Sequence, residues 1–389
     1  MCVDEADPGE PRHAQPDGTA ETLRRVPHPA PRTPHPDSQL VFLALETTCD
    51  ETAAAVLEGP RPPRAGVPRI RSSVVASQVG LHQRYGGVVP EIAARAHVRQ
   101  ILPMIDEALR RAAVALPDLG AVAVATRPGL VGALVVGLTA AKALALALEV
   151  PLVAVDHLEG HLYACQLAYP DREVYPCVGL VVSGGHTSLY LCRSPLESTF
   201  LGGTTDDAAG EAFDKVASLL GLGYPGGPAI ERAAESGDRT AFALPRSFLH
   251  DDRLIFSFSG LKTAVLYALH GQNARGGAIP QDPSLVGDLA ASFQEAVVDV
   301  LVAKTRQALI RSQLKRLGVG GGVAANSRFR DRIGAMAAEL GVELFIPPPA
   351  LCTDNAAMAG IALPKLCAGQ VAELEVDVTA GLIRPARGA

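Results

Sequence analysis

Residues 151–161 read PLVAVDHLEGH, an apolar run followed at once by two histidines four positions apart. The run 151–155 predicts a buried strand, and Asp156 with Glu159 has the spacing of a capping box that begins a helix. Histidines at this spacing share one helix face and can bind one metal ion. Because the carboxyl ends of strands carry the binding sites of α/β folds, the stretch predicts an α/β protein with a site here. Ordinary packing explains the pair alone equally well.

The composition fits a globular protein. The chain has 389 residues, 48% of them hydrophobic and 20% charged, which suits about two domains. Aromatic residues make up only 4%, which favours tightly packed α/β layers. The net charge of -6 argues against binding nucleic acid by bulk electrostatics alone, but leaves open a local basic surface or a basic partner. The seven cysteines include no CxxC pair, so we expect reduced thiols and a cytoplasmic protein.

Two stretches differ from the rest of the chain in composition. Residues 1–38 are rich in proline and charge and have almost no apolar periodicity, which predicts a disordered tail. The acids Asp4 and Glu5 within it disfavour a transit peptide. Residues 129–150 are nearly all apolar, but they include Lys142 and begin with a Pro-Gly turn. We therefore expect a helix buried between layers and no membrane association.

One pattern occurs twice: an apolar strand, a short polar turn and a second strand. Residues 40–57 carry it around TTCDET (47–52), and residues 177–191 carry it around SGGHT (183–187). The repeat predicts two structurally similar halves. Hydroxyls and a carboxylate in a tight turn suit a phosphate and its metal, and glycines let a phosphate approach backbone N–H groups. Ordinary hairpin turns explain both segments as well.

The second half of the chain adds candidate ligand groups. Residues 206–214 are rich in acids, which also suits a capped and exposed helix. Gly320-Gly321-Gly322 joins a strand to a helix whose N-terminus can bind an anion or a nucleotide, although the lysine of a P-loop is absent. Asp354 can supply the oxygen ligand that a two-histidine site needs, or it can cap the helix that follows.

A series of motifs follows one order along residues 40–380: ETTCDET (46–52), QRYGGVVPE (83–91), HLEGH (157–161), VSGGHTSL (182–189), DDAAGEAFDK (206–215), GYPGGP (223–228), FSFSGLKT (256–263), GGVAAN (321–326) and TDNAAM (353–358). In this order they resemble the TsaD family of tRNA adenosine threonylcarbamoyltransferases, once called glycoproteases. The resemblance implies an α/β fold of the actin-like ATPase (ASKHA) class, with two similar lobes around a ligand cleft. Lobe I would comprise residues 39–155 and about 355–382, and lobe II residues 156–354.

The resemblance also implies an activity. A threonylcarbamoyl group would pass from threonylcarbamoyl-AMP to N6 of adenosine 37 in tRNAs that read ANN codons, with release of AMP. One divalent metal per subunit, Fe2+ or else Zn2+, would be held by His157, His161 and Asp354. The adenylate would contact Val181, Val182, Ser183, Gly184, Gly185, Asp214, Gly227 and Asn326. The implied partners are tRNA, a paralogous actin-like subunit (TsaB-type) and a small ATPase (TsaE-type). No side chain stands out as the catalytic base.

Two positions depart from the family pattern. Arg127 stands where members usually have glycine, so the backbone of the following Pro-Gly turn is in question. Asp156 stands where many relatives have a second histidine or an asparagine. Because Asp156 is not an expected ligand, we expect the metal site to survive.

Three other functions fit parts of the pattern. A metalloprotease of the HExxH type needs a glutamate directly after the first histidine, but Leu158 follows His157, and Glu159 lies on another face of the helix. A sugar or acetate kinase of the same fold would share the phosphate turns but would need no two-histidine site. A regulatory or scaffold paralogue would typically lose the histidines that this chain retains.

Overall fold

The computed structural model describes residues 39–272, 277, 279–280 and 282–381. The predicted tail, residues 1–38, lies outside the described residues. The strands are β1 (Gln39–Glu46), β2 (Glu51–Pro60), β3 (Arg69–Ser77), β4 (Ala121–Arg127), β5 (Leu152–Asp156), β6 (Cys177–Val182), β7 (Thr187–Ser194), β8 (Glu197–Gly203), β9 (Arg316–Gly320) and β10 (Glu343–Phe345).

The helices alternate with these strands. They are α1 (Val79–His82), α2 (Pro90–Ala112), α3 (Val131–Leu148), α4 (His157–Ala168), α5 (Ala209–Leu219), α6 (Gly226–Ala234), α7 (Ser259–His270), α8 (Pro283–Ser312), α9 (Ser327–Leu340), α10 (Pro349–Cys352) and α11 (Ala362–Cys367). Single 3-10 turns lie at Gln83–Tyr85, Leu116–Asp118, Gly322–Ala325 and Ala356–Ile361.

The strands form two five-stranded mixed sheets with the same topology. The first has the order β3-β2-β1-β4-β5 and the second the order β8-β7-β6-β9-β10. In each, three antiparallel strands are followed by two strands parallel to the third. The matched order confirms the two similar halves and the α/β class that the repeat predicts.

Helices cover both faces of the first sheet, which explains why β1 is apolar without interruption. Leu43 and Leu45 point to one face and pack in the cluster that α2 and α3 complete. Phe42 and Ala44 point to the other face and pack against the residues around Ile361. The single apolar run is therefore two alternating sets of core residues, one for each face.

The helix α4 lies between the two sheets. Its Tyr163 packs in the core of the first sheet, whereas Leu158 and Leu162 pack with Val181 of β6 in the second half. Because both sides of α4 are covered, almost all of this short helix is buried. The histidine helix is thus held by both halves.

The helix α3 is apolar around most of its circumference, but only one of its faces is buried. Leu134, Leu138 and Ala141 are buried in the core beside α2 and β4, whereas Val131 and Val135 are exposed. The expected burial between layers therefore holds for one face only. By length and composition alone, α3 is the one helix in the described ranges that is apolar enough to cross a membrane, a test that core helices of soluble proteins also pass.

The end of the described chain returns along the first sheet. Ala372 forms a bridge with Leu152, and the amide of Thr379 donates to the carbonyl of Thr126 at 3.0 Å. This segment and the edge strand β8 were not expected from the sequence. The lobe boundaries given above stay a prediction.

Candidate active site

The two polar turns of the repeat open on one cavity of about 830 Å3. Thr48, Cys49 and Asp50 belong to the turn between β1 and β2, and Glu51 begins β2, whereas Ser183–His186 forms the turn between β6 and β7. The remaining walls come from segments around residues 86–88, 128–130, 210–215, 224–231, 322–326 and 353–354. A cavity of this size accommodates a nucleotide-sized ligand.

The candidate metal ligands meet at the back of this cavity. The ligand atoms of His157, His161 and Asp354 all lie within 4.8 Å of one another. Asp354 Oδ1 is 3.6 Å from Nε2 of His157 and 3.2 Å from Nε2 of His161. The helix after Asp354 is capped by Asn355, whose Oδ1 accepts from the amide of Met358 at 3.2 Å. The alternative in which Asp354 caps that helix is therefore wrong.

The environment of His161 fits a bound metal. Its ring is fully buried, Nδ1 has no hydrogen-bond partner among the described residues, and the Asp354 carboxylate 3.2 Å from Nε2 does not form a hydrogen bond of good geometry with it. Burying a polar atom without a partner is costly, so an ion shared with Asp354 would satisfy one of these nitrogens. Two imidazoles and one carboxylate form a donor set that suits divalent iron or zinc.

A carboxylate fixes the other histidine. His157 Nδ1 lies 3.2 Å from Glu46 Oε2 at the end of β1, and 3.3 Å from Thr48 Oγ1. The Nδ1 proton is thereby directed to Glu46, which leaves Nε2 as the free ligand atom. Burial lowers the pKa of His157, but Asp354 and Glu46 outweigh it and raise the pKa to about 9. Without a metal, these acids therefore favour a proton on Nε2 of His157, which a bound cation would displace.

Arg127 and Asp156, the two residues that depart from the family pattern, contact each other. Asp156 Oδ1 accepts from the amide of Leu158 at 2.9 Å, which confirms Asp156 as the N-cap of α4. Its Oδ2 lies 3.0 Å from Nε of Arg127. Glu159 does not complete a capping box, because its Oε2 pairs with Lys365 at 3.0 Å. The same ion pair engages the one acid within HLEGH, which argues against its use as the base of a metalloprotease.

Most residues expected to bind the adenylate line the cavity. Those in the lining are Ser183, Gly184, Gly185, Asp214, Gly227 and Asn326. Val181 and Val182 are instead fully buried in β6 and do not line it. Asn326 has both ends of its amide engaged, because Oδ1 caps α9 through Phe329 and Nδ2 donates to Gln294 at 2.7 Å. The binding roles of all these residues stay predictions.

The glycines at the site divide into two groups. A Cβ at Gly184, Gly185, Gly227 or Gly322 would meet nothing within 4 Å, so these positions leave space that a ligand can fill. A Cβ at Gly320 would lie 2.4 Å from the carbonyl oxygen of His161, and Gly321 has φ +99°. Gly320 therefore lets β9 approach the histidine helix closely, whereas Gly321 lies against β6, where a Cβ would be 2.3 Å from the carbonyl oxygen of Val182. Of the triplet, Gly322 is the residue that lines the cavity.

Two acids that line the cavity, Asp214 and Glu51, have raised pKa values. Burial, together with Asp50 and Glu211, raises the pKa of Asp214 to about 6, although a hydrogen bond from the amide of Gly226 at 2.7 Å opposes the shift. Burial and the neighbouring acids Asp354 and Asp50 also raise the pKa of Glu51. Tyr224 donates from its hydroxyl to Asp50 Oδ2 at 3.2 Å and so joins the first polar turn to the glycine-rich loop.

Several cavity residues were not singled out from the sequence. Asp50, Glu51 and Tyr224 of the lining, and the buried Glu46 that contacts His157, lie within motifs that were recognised, but no spacing rule shows which of these side chains face the ligand. His186 also lines the cavity, and its ring centroid lies 6.3 Å from that of His157. Burial lowers the pKa of His186 to about 4, so this imidazole is neutral at physiological pH.

Comparisons with known proteins agree with this geometry. The family profile described as "TsaD: tRNA N6-adenosine threonylcarbamoyltransferase" matches residues 69–361. Proteins of that name from Rhodopirellula baltica and Anaeromyxobacter dehalogenans are similar to this chain. The first is 51% identical, with 90% of this chain and 99% of the relative covered. The second is 54% identical, with 82% and 92% covered.

Solved structures are similar in fold. HypF from T. kodakarensis superposes with a TM-score of 0.55 at 12% identity, over 85% of this chain and 48% of HypF. Full-length HypF in its phosphate- and nucleotide-bound form gives a TM-score of 0.51 at 12% identity, over 86% and 55% of the two chains. The likeness concerns the fold alone, and it confirms the ASKHA class.

Proposed function

This chain belongs to the TsaD family of tRNA N6-adenosine threonylcarbamoyltransferases, and from that premise we propose that its cavity binds threonylcarbamoyl-AMP beside one divalent metal. The threonylcarbamoyl group passes to N6 of adenosine 37 in tRNAs that read ANN codons. The observation that carries the proposal is the position of the His157, His161 and Asp354 cluster, which adjoins the same cavity as both polar turns.

The cluster would hold Fe2+, with Zn2+ as the other ion that this donor set suits. When bound, the metal supplies Lewis-acid polarisation and a fixed template for oxygens of the donor. Glu46 orients His157 through Nδ1, and the burial of His161 excludes water from the ligand side. These residues hold the site in one arrangement before the donor arrives.

The polar turn 183–185 would take the phosphate of the adenylate. Gly184 and Gly185 have no side chain between their backbone and the cavity, so backbone N–H groups can approach an anion closely. The charge that develops on the departing AMP can be stabilised in the same way. Asp214 and Asn326 line other walls of the cavity, which supports their expected contacts with the rest of the nucleotide.

The reaction itself is an acyl transfer. The N6 amine forms a bond to the carbamoyl carbon, the bond from that carbon to the phosphate oxygen breaks, AMP leaves, and the amine loses a proton. Asp50 and Asp214 are among the acidic side chains that line the cavity, and either carboxylate can accept this proton.

The chain would need help to capture tRNA. Its net charge of -6 opposes unaided attraction of a polyanion. We propose that a paralogous actin-like subunit (TsaB-type) and a small ATPase (TsaE-type) complete the assembly. Because the acceptor is tRNA, we place the reaction in the cytoplasm.

A metal-ligand variant tests the proposal. His161→Ala should lose the bound metal and lower the formation of N6-threonylcarbamoyladenosine by about a hundredfold or more, while its circular dichroism stays that of the wild type. The exposed His250, altered to alanine, is the matched control. Metal content is measured by elemental mass spectrometry and the product by nucleoside mass spectrometry. A metal-free variant with wild-type activity would refute the proposal.

A further inference from the structure

We propose that Arg84 and Tyr85 form a stacking platform that receives an unpaired base of the acceptor tRNA at the rim of the cavity. The inference rests on the proposed function and extends it to the second substrate. It assigns a positioning role to the turn Gln83–Tyr85, which connects α1 to α2.

The turn lies next to the cavity. Gly86, Gly87 and Val88 follow Tyr85 directly and line the cavity wall, and Val79 lines it from the other end of the segment. Tyr85 itself is 52% exposed and lies outside the lining. Its ring is therefore available to a molecule that approaches the opening, whereas the donor occupies the interior.

Hydrogen bonds of the buried His82 hold the turn in position. His82 is fully buried, its Nδ1 accepts from the amide of Val89 at 3.2 Å, and its Nε2 donates to Gln78 Oε1 at 3.2 Å. The amide of Gln78 donates in turn to the carbonyl of Asp50 at 2.9 Å. Since Asp50 belongs to the cavity wall, the platform has a fixed position relative to the reaction centre.

The two side chains have the chemistry of a base-binding surface. The Arg84 guanidinium carbon lies 4.8 Å from the centroid of the Tyr85 ring, so the cation covers one face of the ring. In single-stranded RNA recognition, splayed bases stack on aromatic rings and on guanidinium planes. Arg84 forms no ion pair with any other described residue, which leaves its charge for a phosphate.

The charge of the neighbourhood supports an RNA ligand. Residues 79–99 contain Arg84, Arg95 and Arg99 against the single acid Glu91, although the whole chain has a net charge of -6. All four of these side chains are in exposed positions. This local excess of positive charge, on the segment whose Gly86, Gly87 and Val88 line the cavity, favours contact with a polyanion.

The reaction requires such a surface. N6 of an adenine reaches a buried carbamoyl carbon only when the base leaves its stack, and the loss of stacking has to be offset by new contacts. An aromatic platform at the rim replaces stacking for the acceptor base or for its neighbour. Tyr267 is the other exposed aromatic side chain among the described residues, and it lies on α7, away from the cavity lining.

The test compares Tyr85→Ala, Tyr85→Phe and Arg84→Ala with the control Tyr267→Ala in the assembled enzyme. Tyr85→Ala should raise KM for tRNA about tenfold or more and leave KM for threonylcarbamoyl-AMP unchanged, because one stacked base is lost. Tyr85→Phe should resemble the wild type, since it keeps the ring. Direct binding of a labelled anticodon stem-loop, measured by fluorescence anisotropy, should be weaker for Tyr85→Ala and close to that of the wild type for Tyr85→Phe and for the control Tyr267→Ala.

Two results would overturn the inference. One is an unchanged KM for tRNA and an unchanged stem-loop affinity in Tyr85→Ala. The other is an effect confined to association with the actin-like subunit, which would make the turn a protein-docking surface. Because stem-loop binding is read without turnover, a wild-type protein that binds RNA through Tyr85 but forms no modified nucleoside would refute the proposed function and leave the platform intact.

Discussion

Glu46 Oε2 lies 3.2 Å from Nδ1 of His157, and this contact determines which nitrogen of the histidine faces Asp354. Glu46 is the last residue of β1, whereas His157 is the first residue of α4, so the contact joins the first sheet to the histidine helix. The other oxygen of Glu46 accepts from the amide of Thr48 at 2.8 Å. One buried carboxylate therefore holds both the first polar turn and a metal ligand.

Glu46→Gln should weaken metal binding. The variant keeps the size of the side chain but removes the charge that fixes the Nδ1 proton of His157, and such supporting contacts are worth about ten- to a hundredfold in metal affinity. Competition with a chromophoric chelator, using Fe2+ under anaerobic conditions and Zn2+ separately, measures the change. Glu375→Gln, at an exposed position, serves as the control. Equal chelator midpoints for Glu46→Gln and the wild type would contradict this role.

The contact between Arg127 and Asp156 should be a modest stabilising pair. The Arg127 side chain is 39% exposed and that of Asp156 18%, so solvent screens the attraction and a coupling of about 0.5–1 kcal/mol is expected. A double-mutant cycle with Arg127→Gly and Asp156→Asn, followed by urea unfolding, measures it. Asparagine can still cap α4, which isolates the ion pair. A coupling energy of zero would show that the two departures from the family pattern are independent.

Local sequence signals predicted the elements but not their cross-chain contacts. The apolar strand β1 and the Asp156 cap of α4 both follow from residues close to one another in the chain. The two histidines were also a local signal, because their spacing alone places them on one helix face. Asp354 was one candidate for the third ligand on its residue type, with a helix cap as the alternative, and the resemblance to a known family made it the expected ligand.

Contacts between distant segments explain what was missed. Tyr224 meets Asp50 and Glu46 meets His157 across separations of 174 and 111 residues, for which no periodicity exists. The close approach of Gly320 to His161 is equally non-local, so a glycine triplet that resembles a ligand cradle serves mainly in packing. Contacts in the folded structure therefore decide whether a glycine-rich turn binds a ligand or serves in packing, a choice that the sequence pattern leaves open.

Asp214→Asn should stabilise the free protein at neutral pH. The pKa of Asp214 is raised from 3.8 to about 6, so between these values the folded state binds more protons than the unfolded state. The contribution of this group to stability therefore falls as the pH rises through that window and remains low above it. Asparagine removes the penalty and still accepts from the Gly226 amide, for a gain of at most about 3 kcal/mol at pH 7.

Urea unfolding of wild type and Asp214→Asn between pH 4 and pH 8 measures this difference. The stability gain of the variant should increase up to about pH 6 and then level off. A gain that is independent of pH would show that Asp214 titrates normally. The same variant should bind AMP differently from the wild type only if the carboxylate contacts the nucleotide.

Gly184→Ala and Gly210→Ala should separate ligand binding from folding. A Cβ at Gly184 meets nothing within 4 Å, so the fold should tolerate it, but the methyl group would occupy the cavity beside the turn 183–185. A Cβ at Gly210 would lie 2.7 Å from the carbonyl oxygen of Ser183, which should destabilise the protein by about 1–3 kcal/mol.

Titration calorimetry with AMP and thermal unfolding measure the two effects. We expect at least about tenfold weaker AMP binding with an unchanged melting temperature for Gly184→Ala, because a cavity-filling methyl removes close backbone contacts. If Gly184→Ala instead lowers the melting temperature and binds AMP normally, the turn supports the fold and the phosphate lies elsewhere.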